Sequence, residues 1–386
     1  MISRISLAKS VATRSLKTID AVVSERSDDD YLGIALALAG RGLGNVWPNP
    51  AVGCVVVHHG LVVGRGWTQP GGRPHAETMA LEQAGAGAMG ATAFVSLEPC
   101  AHHGQTPPCA EALIAAGIAR VVIAAPDPDP RVNGRGIGVL RAAGVAVDLP
   151  DHAVARVLNA GFLSKVNQGR PLVTLKLAST LDGRIALGSG ESQWITGPLA
   201  RARGHLLRAE HDALLVGIGT ALADDPELTC RLPGMLSRSP VRVVLDSRLR
   251  LPSHGRLARG AKNNPVWAIT GPGQKSAALN KLGVDILPAA LAGSGRINLQ
   301  AALEVLAGLG INRLLVEGGS AVSTAFLNAG LVDHLAWFRA PGLIGDEGLA
   351  VVGDIGLTML ANMPRFHREA IEILGDDVLE SYVHQA

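Results

Sequence analysis

Apolar and polar positions fall into short alternating blocks along the chain. Tyr31, Leu32, Ala35, Leu36 and Ala39 recur at helical spacing, which predicts a helix capped by Asp28 or Asp29 and ended at Gly40 or Gly42. The valine-rich run 52–57 reads as a strand. His58, His59 and Gly60 turn it into a second strand at 61–66, a hairpin reading that competes with vicinal metal ligands. Further strands are expected at 92–97, 119–124 and 145–149, and helices at 76–84, 109–116, 136–143 and 153–163. Gln168, Gly169, Arg170 and Pro171 break the pattern and read as a linker. It restarts with strands at 172–178, 213–216, 241–246, 265–270 and 313–317. A helix opens at Pro198 and runs through Arg208, and another covers 321–329. Strands alternating with helices predict two α/β domains, 29–168 and 169–386.

The chain of 386 residues is long enough for two full cores. Hydrophobic residues make up 47% of it, yet no apolar run is of membrane-spanning length. A net charge of +2 and 3% aromatic residues argue against a nucleic-acid editor, which needs a basic face and stacking rings. Four cysteines do not suggest a disulfide framework, and a reducing cytoplasm fits. Residues 1–28 carry Ser, Arg and Lys without an apolar signal-peptide core. They read as a disordered extension or an upstream start, with a transit peptide as the alternative.

The candidate chemistry is concentrated between Pro74 and Cys109. His75 is followed two positions later by Glu77, then by Pro99-Cys100 and by Cys109. Alone, His75 would pass for a surface residue and each cysteine for core filler. Together, one imidazole and two thiolates suit zinc and leave a fourth position for water, and Glu77 can shuttle a proton. Helices expected after His75 and from Cys109, flanking a strand, would bring the ligands together. This pattern resembles the zinc nucleoside and nucleobase deaminases. Eight residues, 101–108, separate the two cysteines, and that spacing resembles one family, the bifunctional riboflavin-biosynthesis deaminase–reductases.

The second half carries the same resemblance in order: Lys176 to Ala178, Ser179 to Arg184, Trp194 to Gly197, Asp224 to Pro226, and Glu317 to Gly319. No Gly-x-Gly-x-x-Gly fingerprint follows a strand. Gly318 and Gly319 before a helix would still let a pyrophosphate approach backbone N–H groups. The resemblance covers about residues 29–386. It implies a cytidine-deaminase-like α/β/α domain followed by a dihydrofolate-reductase-like α/β domain, with Zn2+ and NADPH as cofactors. The implied reactions are deamination of a diaminopyrimidinone ribosyl phosphate and reduction of its ribose to a ribityl chain. A single-activity deaminase with a silent second domain is the alternative.

Carried over residue by residue, the resemblance makes His75, Cys100 and Cys109 the metal ligands and Glu77 the proton shuttle. Asn49 and His102 become pyrimidine contacts. Ala178, Trp194, Thr220, Asp224, Ser247 and the turn Gly319, Ser320, Ala321, Val322, Ser323, Thr324 and Ala325 become dinucleotide contacts. Ser192, Arg208, Leu228, Arg231 and Glu317 surround the sugar phosphate, and Lys176 and Asp224 lie near the reacting carbon. Two arginines suit a phosphate because the planar guanidinium fork binds it in bidentate fashion. Three positions depart from the family pattern: Thr68 for His, Gln105 for a cation, and Asp129 for Asn. Arg73, Arg131 or Arg135 would then have to hold the phosphate in the first domain. The expected partner is a small phosphorylated pyrimidine, with no nucleic acid or membrane, in a cytoplasmic homo-oligomer.

Overall fold

The computed structural model describes residues 26–103 and 107–385. Residues 1–25 of the expected extension, and Gln105, lie outside the described residues. The first domain contains α1 (Asp28–Gly40), β1 (Gly53–His58), β2 (Leu61–Trp67), α2 (Ala76–Ala84), β3 (Thr92–Val95), α3 (Cys109–Ala115), β4 (Arg120–Ile123), α4 (Arg135–Ala142), β5 (Ala146–Asp148), α5 (Ala153–Leu158) and α6 (Ala160–Gln168). The cap of α1 is Ser27 rather than Asp28 or Asp29. Its hydroxyl accepts from Asp30 N, while the Asp30 carboxylate accepts from Ser27 N, a reciprocal capping box. The helix expected at 153–163 is broken at Asn159, which ends α5 and precedes α6.

Among the described residues the strands of this domain form one five-stranded sheet, ordered β2-β1-β3-β4-β5. β1 pairs antiparallel with β2 and β3, and β3, β4 and β5 run parallel. The expected hairpin is present. His59 and Gly60 both have positive φ, as a two-residue turn of this hand requires. The His58 and His59 rings stack on each other and His58 Nδ1 lies 3.0 Å from Gly87 O, so the pair terminates a strand instead of gathering a metal. One sheet face packs Cys54, Val56, Ala93 and Val121 against α2, α3 and α4. The other packs Val55, Phe94 and Val122 against α1, α5 and α6, giving three layers.

The second domain contains β6 (Leu172–Thr180), β7 (Arg184–Ala186), α7 (Pro198–Ala209), β8 (Ala213–Gly217), α8 (Ile218–Asp224), β9 (Val241–Leu245), α9 (Arg256–Arg259), β10 (Val266–Thr270), α10 (Ala277–Leu282), β11 (Val284–Pro288), α11 (Leu299–Gly308), β12 (Arg313–Val316), α12 (Ser320–Asn328), β13 (His334–Ala340), β14 (Leu349–Ala350), β15 (Phe366–Leu374) and β16 (Asp377–His384). Among the described residues nine strands form its main sheet, in the order β11-β10-β9-β8-β12-β6-β13-β16-β15. All neighbours from β11 to β13 pair in parallel, and only the β16 and β15 ladders are antiparallel. Such strands are buried on both faces and read as continuous apolar runs, as β8 and β10 do. Helices α11 and α12 cover one face and α7 to α10 the other. The chain order reverses around β8, β12 and β6. Open α/β sheets bind ligands beyond the strand carboxyl ends at such a switch point.

The stretch 168–171 is not a loose linker. Gln168 closes α6, and Gly169, at φ 69°, caps it through its N–H to Lys165 O. Arg170 then makes a bidentate pair with Asp333 at 2.6 and 2.8 Å, pinning the entry of β6 to the turn before β13. The loop after α1 also crosses to the second domain. Asn312 Nδ2 donates to Asn49 O at 3.0 Å, and Arg238 Nη1 to Arg41 O at 3.0 Å. The Trp47 ring meets the Trp267 ring edge-on at 6.1 Å between centroids. Among the described residues no helix is long and apolar enough to cross a membrane.

Candidate active sites

In the first domain His75 is the residue preceding α2, Glu77 lies in the first turn of that helix, and Cys109 opens α3. Cys100 follows the β3 strand. Gly136 permits the close docking there: a Cβ on it would fall 2.0 Å from Pro99 O. The ligand atoms of His75, Cys100 and Cys109 all lie within 4.8 Å of one another. His75 Nδ1 is 3.2 Å from Cys109 Sγ and 3.7 Å from Cys100 Sγ, and the backbone N–H of Cys109 donates to Cys100 Sγ at 3.3 Å. Hydrogen bonds from Cys109, with His75 beside it, hold the Cys100 thiol down at about 4, while its own thiol partner and burial drive Cys109 up. One nitrogen and two sulfurs match the donor set that zinc takes. Glu77 is 3% exposed beside them; burial pushes its carboxyl up, and His75 opposes the shift.

The surroundings settle several sequence readings. Asn49 Nδ2 donates to Gly72 O at 2.7 Å, so the Asn49 side chain is fixed against the strand of chain leading to His75. His102 Nδ1 is buried and has no partner among the described residues. Thr68 is 3% exposed and exchanges bonds with the backbone of Val52, a structural use of the position. The Asp129 carboxylate is bound by Arg131 at 2.6 Å, which neutralises the extra negative charge expected there and occupies Arg131. Sequence reasoning passed over Glu98. Its buried carboxylate accepts from Asp127 N, Gly134 N and Ile137 N and so fixes the start of α4 behind Pro99 and Cys100. The signal was its place directly before the Pro-Cys pair.

In the second domain a cavity of about 1140 Å³ opens beyond the carboxyl ends of β6, β8 and β12. It is large for a single small ligand and suits a dinucleotide together with a sugar phosphate. Its wall includes Lys176 and Ala178 from β6, Ser192 and Trp194 from the following loop, and Arg208 from α7. Thr220 and Asp224 from α8, Arg231, and Glu317 to Val322 with Thr324 and Ala325 complete the expected set. Leu228, Ser247 and Ser323 stand outside this wall. Leu228 packs in the core with Ile218, Ala221 and Leu257, and Ser323 is wholly buried on the inner face of α12. Gly217 and Gly318 keep the turn open, since a Cβ on either would meet the Val322 side chain at 2.7 Å.

The charges of this cavity are arranged differently from the expectation. Arg208 does not stand ready for a phosphate: its Nε and Nη2 donate to the Glu317 carboxylate at 2.8 and 2.7 Å, and Nη1 donates to Thr229 O at 3.0 Å. The carboxylate meets the guanidinium fork in bidentate fashion, the geometry in which such charge-assisted pairs are strong. Burial would raise the Glu317 carboxyl, but Arg208, Lys176 and His205 outweigh it and hold it at about 2. Burial lowers the Lys176 ammonium, with Glu317 opposing, and its Nζ lies 5.5 Å from the centroid of the Phe338 ring. Trp194 is 65% exposed at the rim and carries Arg201 over its ring at 4.6 Å. Asp224 is exposed at the end of α8, and burial of its surroundings raises it.

Comparison with known proteins separates the same two halves. Residues 25–125 match the cytidine and deoxycytidylate deaminase zinc-binding region, and residues 171–379 match the RibD C-terminal domain. The riboflavin biosynthesis protein RibD of Escherichia coli (strain K12) is 42% identical over 375 residues, covering 91% of this chain and 98% of that protein. That of Aquifex aeolicus (strain VF5) is 41% identical over 353 residues, covering 91% and 97%. Among solved structures, Acinetobacter baumannii RibD (form 1) superposes with a TM-score of 0.85 at 39% identity, over 93% of this chain and 99% of that one. A Thermotoga maritima diaminohydroxyphosphoribosylaminopyrimidine deaminase/5-amino-6-(5-phosphoribosylamino)uracil reductase gives 0.81 at 37% identity, again over 93% and 99%.

Proposed function

This chain belongs to the RibD family of bifunctional riboflavin-biosynthesis deaminase–reductases, and on that premise we propose how its own residues divide the two reactions. The first domain removes the amino group of 2,5-diamino-6-ribosylamino-4(3H)-pyrimidinone 5′-phosphate. The second reduces the ribosyl chain of the product to ribityl. The domains divide at about residue 168. Homo-oligomeric assembly and a cytoplasmic location, expected from the sequence, belong to the same proposal.

His75, Cys100 and Cys109 would hold zinc. Bound there, zinc makes a water nucleophilic near neutral pH, and NADPH in the second domain supplies a hydride. Glu77 takes the proton of the attacking water and gives it to the departing amino nitrogen, which leaves as ammonia. Its burial excludes bulk water that would compete for that proton. Asn49 and His102 orient the pyrimidine ring. Arg73 and Arg135 are the arginines proposed for the 5′-phosphate in this domain, while Arg131 pairs with Asp129.

In the second domain hydride arrives at C1′ of the opened ribose, and the neighbouring nitrogen must gain a proton. Lys176, an ammonium whose proton affinity burial has reduced, is the donor. Asp224, with Ala178, Trp194, Thr220 and the Gly319–Ala325 turn, orients the dinucleotide. Arg231 presents its fork to the substrate phosphate, with Arg208 adding charge from behind while it stays paired with Glu317. Ser192 completes the sugar-phosphate contacts. The observation that carries this reading is that both centres are intact in one chain: the metal triad with its buried carboxylate, and the cationic cavity at the switch point. The test is incubation of purified protein with the diaminopyrimidinone phosphate, with and without NADPH, following ammonia and NADPH separately. Ammonia release without NADPH, and NADPH oxidation only after it, are expected; NADPH oxidation that precedes ammonia release would reverse the order.

A further inference from the structure

His205 lines the reductase cavity and takes no part in the roles assigned above. It lies three residues before Arg208 on α7, so the two side chains share one helix face. The His205 ring is fastened to the segment that carries Arg231. Arg231 Nε lies 3.4 Å from His205 Nε2, and the Arg231 backbone nitrogen lies 3.3 Å from Nδ1. Cys230 Sγ donates to the backbone oxygen of His205 at 3.3 Å, and Thr229 O accepts from Arg208 Nη1 at 3.0 Å. One short segment, Thr229 to Arg231, therefore connects His205 to both cavity arginines.

Both ring nitrogens lie near donors of Arg231, and the ring also makes a backbone hydrogen bond with Thr229. A neutral imidazole accepts at one ring nitrogen only, taken here as Nε2 facing Arg231 Nε, whereas an imidazolium has no acceptor and would set N–H against N–H at both contacts. The charged groups around the ring agree. Burial, and then Arg208 and Arg231, depress it to about 4, against the pull of Glu317 and of a backbone hydrogen bond with Thr229. The ring is thus an acceptor at neutral pH and not a third cation. Arg231 is itself exposed, and a long exposed side chain loses rotamer freedom when it is fixed in one geometry. With its Nε spent on His205, the fork it turns outward is the terminal Nη pair, which suits bidentate binding of a phosphate.

We propose that His205 is the positioning residue of the reductase phosphate site, a neutral acceptor that holds the Arg231 guanidinium in place before substrate arrives. The inference rests on the reading of Arg231 as a phosphate contact. Preorganising that side chain lowers the entropic cost of binding and leaves the chemical step untouched. The substrate class that senses His205 is accordingly the phosphorylated one.

The test is steady-state reductase kinetics of the full-length protein on the deaminated substrate and on its dephosphorylated analogue, for His205→Ala, His205→Gln, Arg231→Ala and the double variant His205→Ala/Arg231→Ala. Arg231→Ala should raise KM for the phosphorylated substrate roughly 10–150-fold, the worth of a charge-assisted bond. His205→Ala should raise the same KM ~2–12-fold, the worth of a neutral hydrogen bond, with kcat and the analogue unchanged. His205→Gln offers an amide oxygen as acceptor and should restore most of the loss. The double variant should be no worse than Arg231→Ala, since His205 acts through that side chain. A penalty of equal size on both substrates, a fall in kcat, full additivity with Arg231→Ala, or a folded His205→Gln as impaired as His205→Ala would each overturn the proposal. Should Arg231→Ala leave both KM values unchanged, it is the phosphate reading of Arg231 that fails, a result distinct from failure of His205 alone.

Discussion

The two halves of this chain solve the same problem, holding charge in a cleft, by opposite means. The deaminase centre draws its ligands from a window of 35 residues, His75 to Cys109, delivered by one helix start, one strand end and a second helix start. Its charges are thiolates and a carboxylate that a dication neutralises. The reductase cavity gathers Lys176, Arg208, Arg231 and Glu317 from four separate elements, and its cations are balanced by the protein's own carboxylate. A metal site concentrates information in a short motif because ligand identity and spacing define it. A site built from ion pairs spreads it, because any cation reaching the cavity at the right angle will serve.

The sharpest way to separate the two centres is to remove one proton carrier from each. Glu77→Gln should cut ammonia release ~10²–10⁴-fold while zinc content and NADPH oxidation of deaminated substrate stay normal. Lys176→Ala should do the converse, lowering kcat of the reduction with or without the 5′-phosphate. Either variant impairing both reactions would mean that the centres are not independent. Metal removal draws the same line: a chelator should abolish ammonia release and leave NADPH oxidation of deaminated substrate intact, and elemental analysis of untreated protein should find one zinc per chain.

Stability offers the next contrast. Glu317→Ala leaves Arg208 buried without its partner, and breaking such a pair costs about 3–5 kcal/mol. Chemical denaturation should show that loss in the second domain only. Acid should act on the same domain. Burial holds His211 at about 3 and His205 at about 4, so the unfolded chain takes up those protons first. The stability they contribute is complete above about pH 6.5 and is lost as pH falls towards those values. Asp212, raised by burial to about 6, has the opposite sign and offsets part of the loss. The thermal midpoint of the second domain should therefore drop between pH 7 and pH 5, and a midpoint that rises would give Asp212 the larger share. The smallest effect tests the seam. Asn312→Ala removes the bond to Asn49 O and should raise the deaminase KM by ~2–12-fold, the range of one neutral hydrogen bond. No change would show that the second domain does not steady the first domain's pyrimidine pocket.

Helix and strand periodicity determined both domains, the hairpin at His58 and His59, and the starts of α2 and α3, because each depends on neighbours a few residues away. The same holds for the metal triad, whose residue types at that spacing have few other uses. Periodicity left 271–312 and 330–386 unassigned, and there the structure has β11, α11, β13 and the β15–β16 hairpin. β15 is the edge of the sheet and largely exposed, so no apolar run marks it. The family resemblance makes Arg208 a phosphate contact, and its guanidinium fork agrees with that. Only the tertiary structure decided that Glu317, 109 positions away, takes two of its nitrogens. The same is true of Arg170 with Asp333 and of His205 with Arg231. Local propensity and ligand chemistry act over a few residues and are written in order along the chain. The partner of a charged side chain is whichever opposite charge or acceptor the fold brings within about 3 Å, and that distance exists only once the chain has packed.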